Sequence, residues 1–208
     1  MFVDRVDAAN KLCSKLSKFS NKEDVVIVGL MRGGMVTAGI ISNVLSLKLR
    51  ALLVKKISDP SNSELAIGAI ISLKDIFLNK NLIKKLNISE LEVSKLIFER
   101  RKDIQAISKK FKINYKGFTG KTVILVDDGV ATGATAMVAE QFLKNKGASK
   151  IYLATPVIAN DTFKIIKKHF SGIIYLIKEN SFYSVGQYYR NFEQVLDEEV
   201  AILLTIRH

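Results

Sequence analysis

The 208-residue chain has one cysteine, Cys13, and two histidines, His169 and His208. A single thiol closes no internal disulfide, and two histidines far apart in sequence leave no transition-metal cluster to expect. No apolar run reaches the roughly 18 residues that cross a bilayer. The opening residues, MFVDRVDAAN, lack the pattern of a secretory signal. The expected location is therefore the cytoplasm, and no membrane partner is expected. Familiar nucleotide loops are missing as well. No G-x-G-x-x-G occurs, so a dinucleotide fold has no support. Gly29 and Gly34 have P-loop spacing, but Met35 and Val36 stand where Lys and Ser or Thr belong. Gly120-Lys121-Thr122 has the right ending, but Tyr115 replaces the first glycine and the triplet precedes a strand instead of following one.

What is present is apolar mass and positive charge. Hydrophobic residues make up 48% of the chain, enough for a sizeable core. The length predicts one domain over 1–208. The formal net charge is +12, which points to anionic partners, phosphorylated metabolites or nucleic acid. From Leu73 to Gly117 there are twelve Lys and Arg against five acids, so this stretch holds most of the excess.

One stretch organises the rest. Val123 to Ala136 reads VILVDDGVATGATA. The apolar start predicts a buried strand of a parallel sheet. Two acids follow, Asp127 and Asp128, then a loop of small residues, then a helix from about Ala134 to Lys146 that Gly147 stops. A small-residue loop entering a helix offers unpaired amides and the positive end of the helix dipole, which suits a phosphate. Thr132 and Thr135 can add hydroxyl donors. The acids cannot bind that phosphate; they suit hydroxyl groups or a hydrated magnesium ion. A ligand carrying a phosphate and a nearby diol is a ribose 5-phosphate.

A second strand-loop-helix unit runs from Val25 to Val28, through Gly29-Leu30-Met31-Arg32-Gly33-Gly34, into an apolar helix from about Met35 to Leu47. It predicts a second anion site. Arg32 brings a fork of donors suited to phosphate oxygens. The paired glycines are expected to take backbone conformations closed to other residues. A third strand is expected over Ala51 to Lys55, with Lys55 and Lys56 at its carboxyl end, followed by a turn-rich segment and a strand over Leu65 to Ser72.

The stretch from Val123 to Ala136 resembles the phosphoribosyl pyrophosphate signature of the type I phosphoribosyltransferases. The Arg-Gly-Gly at 32–34 resembles that family's pyrophosphate loop. Lys55 to Ala69, and Phe182 to Val200, resemble an uncharacterised subgroup of the family. The resemblance implies an α/β fold: a parallel sheet with flanking helices and a small C-terminal hood, here about 172–208. It implies a mobile loop within about 55–88 and a habit of forming homodimers. It assigns the ribose to Asp127 and Asp128, which are also candidate magnesium ligands through water. It assigns the 5-phosphate to Val130, Ala131, Thr132, Gly133, Ala134 and Thr135, and the pyrophosphate to Arg32, Gly33, Gly34, Lys55 and Lys56. The implied reaction is transfer of ribose 5-phosphate from phosphoribosyl pyrophosphate to a nitrogenous base, with magnesium as cofactor. Ala131 stands where enzymes for 6-oxopurines usually carry an aspartate, a form similar to adenine and orotate enzymes. The alternative is a regulator on the same fold that senses a ribose phosphate and binds RNA or DNA, motivated by the basic stretch.

Elsewhere, Asp4 is expected to cap an amphipathic helix to about Phe19 whose apolar stripe, including Ala9, Cys13 and Leu16, covers the sheet. Ser89 and Glu92 form a capping box for a long helix to about Phe111. Ile151 to Ile158 and Gly172 to Ile177 read as strands, with Asn160 or Asp161 capping a helix between them. The aromatic run from Phe182 to Phe192 reads as core packing, with base stacking as its alternative.

Overall fold

The computed structural model describes residues 1–205, and the side chains of these apart from Ser63 and Glu64. His208 therefore lies outside the described residues. In chain order the elements are α1 (Arg5–Leu16), β1 (Val25–Leu30), α2 (Gly33–Leu45), β2 (Lys48–Leu52), β3 (Lys55–Asp59), β4 (Asn62–Ile70), β5 (Ile76–Leu78), α3 (Lys80–Lys85) and α4 (Glu90–Lys110). Then follow β6 (Thr122–Val126), α5 (Ala134–Asn145), β7 (Lys150–Ala159), α6 (Asn160–Ile166), β8 (Gly172–Glu179) and α7 (Asp197–Thr205).

Two compact units divide these elements. One comprises Met1–Leu52 with Asn114–His208, the other Leu53–Ile113. The first is built on a five-stranded sheet in the order β2-β1-β6-β7-β8, parallel throughout. Every residue of β1 and β6 is buried, as expected of strands covered on both faces. Asp4 caps α1 by accepting the Asp7 amide at 2.8 Å, and the helix buries Ala8, Ala9, Leu12, Cys13 and Leu16. Cys13 is a buried free thiol, and burial pushes its pKa up. Gly147, with φ +81°, ends α5 in the left-handed region expected of it. β8 is the edge strand of the sheet, so the part of the C-terminus outside the sheet begins at Asn180 and not at Gly172.

The second unit carries an antiparallel sheet in the order β3-β4-β5. β3 and β4 are joined through Pro60 and Ser61, where the Ser61 amide donates to Asp59 Oδ1 at 3.1 Å. α4 packs on β3 and β4 through its apolar face, with Val93 and Ile104 buried. Ser89 and Glu92 close the expected capping box. Where a mobile loop is expected within 55–88, this unit holds three strands and the short helix α3.

One strand boundary differs from expectation in a way that matters for the site. The strand placed at Ala51–Lys55 is observed as Lys48–Leu52, and Lys55 and Lys56 open β3. The pairing of β2 with β1 ends at Leu30 opposite Leu52, because β1 stops there. Beyond Leu52 the chain has no partner in the parallel sheet, so the strand ends although Leu53 and Val54 continue the apolar run. Among the described residues, no helix is long and apolar enough to cross a membrane.

Candidate active site

The two predicted strand-loop-helix turns lie side by side, because β1 and β6 are paired neighbours in the parallel sheet. At their carboxyl ends the first turn presents Gly33 and Gly34, and the second presents Asp127 and Asp128. The contact is close. A methyl group at Gly33 would stand 1.9 Å from Asp128 Oδ2. One at Gly34 would stand 2.6 Å from the Val126 carbonyl and 3.0 Å from Asp127 Cα. The glycines are therefore required for approach, not for unusual backbone angles: neither has a positive φ, and both lie in the first turn of α2. This corrects the conformational reading of the pair. The Met31–Arg32 peptide just before it is cis.

The acid pair is asymmetric. Asp128 is buried, and its Oδ2 accepts a hydrogen bond from Arg5 Nε at 2.7 Å, in an ion pair whose side chains are 12% and 13% exposed. The Asp128 carbonyl accepts from the Tyr189 phenol at 2.5 Å. Burial and the neighbouring acids push that phenol's pKa up, so it stays a neutral donor. Asp127 accepts the Asp128 amide on Oδ1 at 3.0 Å and keeps some solvent-facing surface. The dense protein around its carboxyl, and then the charge of Asp128, hold its pKa well above the ordinary carboxylate range.

The loop after the acids is braced from three sides. Val130 is buried and forms a parallel bridge to Ile158, its amide donating to the Val157 carbonyl at 2.9 Å. Its N–H is therefore spent, and Val130 holds the loop without offering an amide to a phosphate. The Thr162 hydroxyl of α6 donates to the Ala131 carbonyl. Gly129 packs so closely on Val185 that a methyl group there would stand 2.2 Å from Val185 Cγ1. Gly133 takes φ +72° as the N-cap residue of α5. Among the described residues, the amides of Ala131, Thr132, Gly133 and Thr135 receive no acceptor, and Thr132 is exposed. That leaves four amides open at the start of α5, a chemistry that suits an anion.

Arg32 precedes α2, with its side chain 39% exposed, and its Nε lies 2.8 Å from Asp197 Oδ1 at the start of α7. Lys55 and Lys56 open β3 in the other compact unit, Lys56 in register with Ala69. The expected aromatic core is present: Tyr188 and Tyr189 are buried, clustered with Phe2 and packed against Phe182 and Val185.

Two residues of this constellation escape the sequence reading. Arg5 stands in the first turn of α1, 123 residues from Asp128 and in line with the buried Ala8, Ala9 and Leu12, and nothing local says which acid it meets. Tyr189 belongs to an aromatic run that reads as core, and it is core, but its hydroxyl also anchors the acid pair. A polar atom on a buried ring, which needs a partner, is the one local signal that pointed there.

A magnesium ion can be weighed against this donor set. Among the described residues no three His, Cys, Asp or Glu side chains gather into a cage. Asp127 retains solvent-facing surface beside a second acid, and one Asp128 oxygen is already taken by Arg5. Such a pair fits a hydrated magnesium ion that draws its other ligands from water and a bound phosphate.

Comparison with known proteins identifies the family and the fold. Residues 3–192 match the family model described as the phosphoribosyl transferase domain. A Mycobacterium tuberculosis protein, provisionally named a phosphoribosyl transferase, is 33% identical over 210 residues; the match covers 100% of this chain and 47% of that protein. The chain thus spans about half the length of the curated relatives it matches. The crystal structure of the protein TT1426 from Thermus thermophilus superposes with a TM-score of 0.83 at 28% identity, covering 99% of this chain and 98% of that one. A purine phosphoribosyltransferase from Pyrococcus horikoshii shares the fold, with a TM-score of 0.51 at 21% identity over 84% of this chain and 83% of its own.

Proposed function

The chain belongs to the phosphoribosyl transferase domain family, and on that premise we propose that it uses 5-phosphoribosyl 1-pyrophosphate to ribosylate a nitrogenous base. One observation carries the reading: an acid pair, with Asp128 buried and Asp127 partly exposed, stands between a glycine-lined helix start and an open, amide-rich helix N-terminus. The open amides of Ala131, Thr132, Gly133 and Thr135 suit the 5-phosphate, with the Thr135 hydroxyl beside them; the Ala134 amide already donates to Thr132 Oγ1 at 3.5 Å. The acids suit the ribose 2- and 3-hydroxyls, since carboxylates accept hydrogen bonds and repel phosphate. Arg32 suits the pyrophosphate.

In this reading the bond from C1 to the pyrophosphate oxygen breaks, and the base nitrogen bonds to C1. Positive charge develops on the sugar as the pyrophosphate departs. The ion-paired carboxylate of Asp128 lies on the ribose side and favours that cation, while Arg32 takes up charge on the leaving group. Holding donor and base in register supplies further acceleration. Magnesium, held through water by Asp127 and Asp128, would supply positive charge to the pyrophosphate oxygens. Nucleotide salvage in the cytoplasm is the setting this activity suits.

Pyrophosphate release from the donor with magnesium, measured across purine and pyrimidine bases, tests the proposal. Release with one base establishes the reaction and the acceptor together. Donor binding with silence across the panel turns the reading toward the sensing regulator, whose nucleic-acid binding would fall steeply with salt. No donor binding at all refutes the ribose-phosphate assignment. Within the site, Arg32→Ala should weaken pyrophosphate-bearing ligands more than ribose 5-phosphate; equal losses would remove Arg32 from the leaving-group end.

A further inference from the structure

Resting on the ribose assignment above, we infer that Arg5 is the positioning residue of the acid pair: it aims Asp128 at the sugar hydroxyls and relieves the repulsion between the two acids. Three contacts clamp its guanidinium. Nε donates to Asp128 Oδ2 at 2.7 Å. Nη1 donates to the Glu193 carbonyl at 2.8 Å. The guanidinium carbon lies 3.9 Å from the centre of the Phe192 ring. A cation present only to balance charge needs none of the last two. A planar fork stacked on one face and bonded in its plane has its direction defined, and it passes that direction to the carboxylate.

The chain of support runs further. Phe192 packs on Tyr189 with ring centres 4.9 Å apart, and Tyr189 packs on Phe2 at 5.3 Å. Tyr189 itself holds the Asp128 carbonyl. The segment 188–193 therefore grips Asp128 twice, at the backbone directly and at the side chain through Arg5. With Oδ2 committed to Arg5, Asp128 has one carboxylate oxygen left for a ligand hydroxyl. Among the described residues Asp127 has no ion pair of its own: its Oδ1 accepts the Asp128 amide, and Arg5 acts on it only through space. Two adjacent carboxylates otherwise repel, and a guanidinium at 2.7 Å from one of them lets both face one sugar.

Calorimetric titration of the full chain with ribose 5-phosphate, 2-deoxyribose 5-phosphate and inorganic phosphate tests this, comparing the parent with Arg5→Gln, Arg5→Lys, Asp128→Asn and the double variant Arg5→Gln/Asp128→Asn. Arg5→Gln should weaken ribose 5-phosphate by about tenfold or more. It should also erase the preference over the 2-deoxy sugar while leaving phosphate within about twofold of the parent. Arg5→Lys should recover part of the loss, because it restores charge without the fork or the stack. The double variant should bind no more weakly than Asp128→Asn, since Arg5 acts through Asp128. Additive losses, or an intact hydroxyl preference in Arg5→Gln, overturn the inference. Should Arg5→Gln fail to fold, Phe192→Leu carries the test; it keeps the ion pair, loses the stack and should show a smaller loss in the same direction, and an unchanged preference there overturns the inference equally. A parent that binds inorganic phosphate but neither sugar overturns the ribose assignment and this inference with it. A parent that prefers the ribose form beside an unaffected Arg5→Gln overturns the role of Arg5 alone.

Discussion

The turn from β1 to α2 and the turn from β6 to α5 are the same local pattern, a buried strand, a short loop and a helix, yet they fold to opposite ends. The first is two residues long, and its helix start is packed against Asp127 and Asp128. The second is seven residues long, 127–133, and its helix start is left open. Both helix N-termini carry a partial positive charge. At α2 the protein's own carboxylates stand next to it. At α5 the loop is braced by Ile158, Thr162 and Val185, and the amides of Ala131, Thr132, Gly133 and Thr135 stay open. Loop length and neighbours, not the strand-loop-helix pattern, decide which helix start is occupied.

Substitutions that fill the tight turn should break this contrast hardest. Gly34→Ala drives a methyl group into the Val126 carbonyl and Asp127 Cα, backbone atoms that cannot swing aside. A loss of about 3 kcal/mol is expected, at the top of the range for overpacking, read as a lower denaturant midpoint. Gly133→Ala should cost less, about 1–2 kcal/mol, since it combines a left-handed backbone with a contact on the Thr162 methyl. If the two variants melt alike, crowding is not what separates the turns.

A third change sharpens the electrostatic side. Because the folded-state pKa of Asp127 is raised, the folded protein holds a proton there that the unfolded chain releases. The associated stability is complete below the ordinary carboxylate pKa of about 4 and is lost as pH rises through the folded value. Asp127→Asn cannot ionise. The parent, free of ligand, should therefore lose stability relative to this variant as pH rises above about 4, by at most about 1.4 kcal/mol per unit of pH. A constant difference across that range would show that Asp127 is not strained by its surroundings.

The smallest effect belongs to Arg32. Asp197 holds it at 2.8 Å in a partly exposed pair, and such pairs contribute about 1 kcal/mol or less. Asp197→Asn should free Arg32 for an incoming anion and tighten inorganic pyrophosphate by a few-fold, or about 1 kcal/mol. Weaker pyrophosphate binding would mean that Asp197 supports Arg32 instead of competing for it.

Much of this was legible in the chain. The strands β1 and β6, the caps Asp4 and Ser89, the stop at Gly147 and the sequence of acids, small loop and helix follow from local chemistry, and the structure has them within a few residues. Three local readings failed for one shared reason. The strand at 51–55 ended early because its sheet partner stopped at Leu30. Val130 lost its free amide to Val157. The glycines at 33–34 proved to be spacers for the acids. Each answer depended on what stood opposite.

Periodicity, capping and turn chemistry are interactions across a few residues, so the sequence alone determined the elements and the acid-loop-helix order of the central motif. The partners of that motif come from across the fold. Arg5 reaches Asp128 over 123 positions, Tyr189 over 61, and Thr162 reaches Ala131 over 31. No repeat or spacing encodes such contacts. They exist because parallel strand order sets β1, β6 and β7 side by side, and because the segment after β8 crosses back to the acid pair. Only the packing of the first unit could therefore decide that an arginine clamps one carboxylate of the pair and not the other.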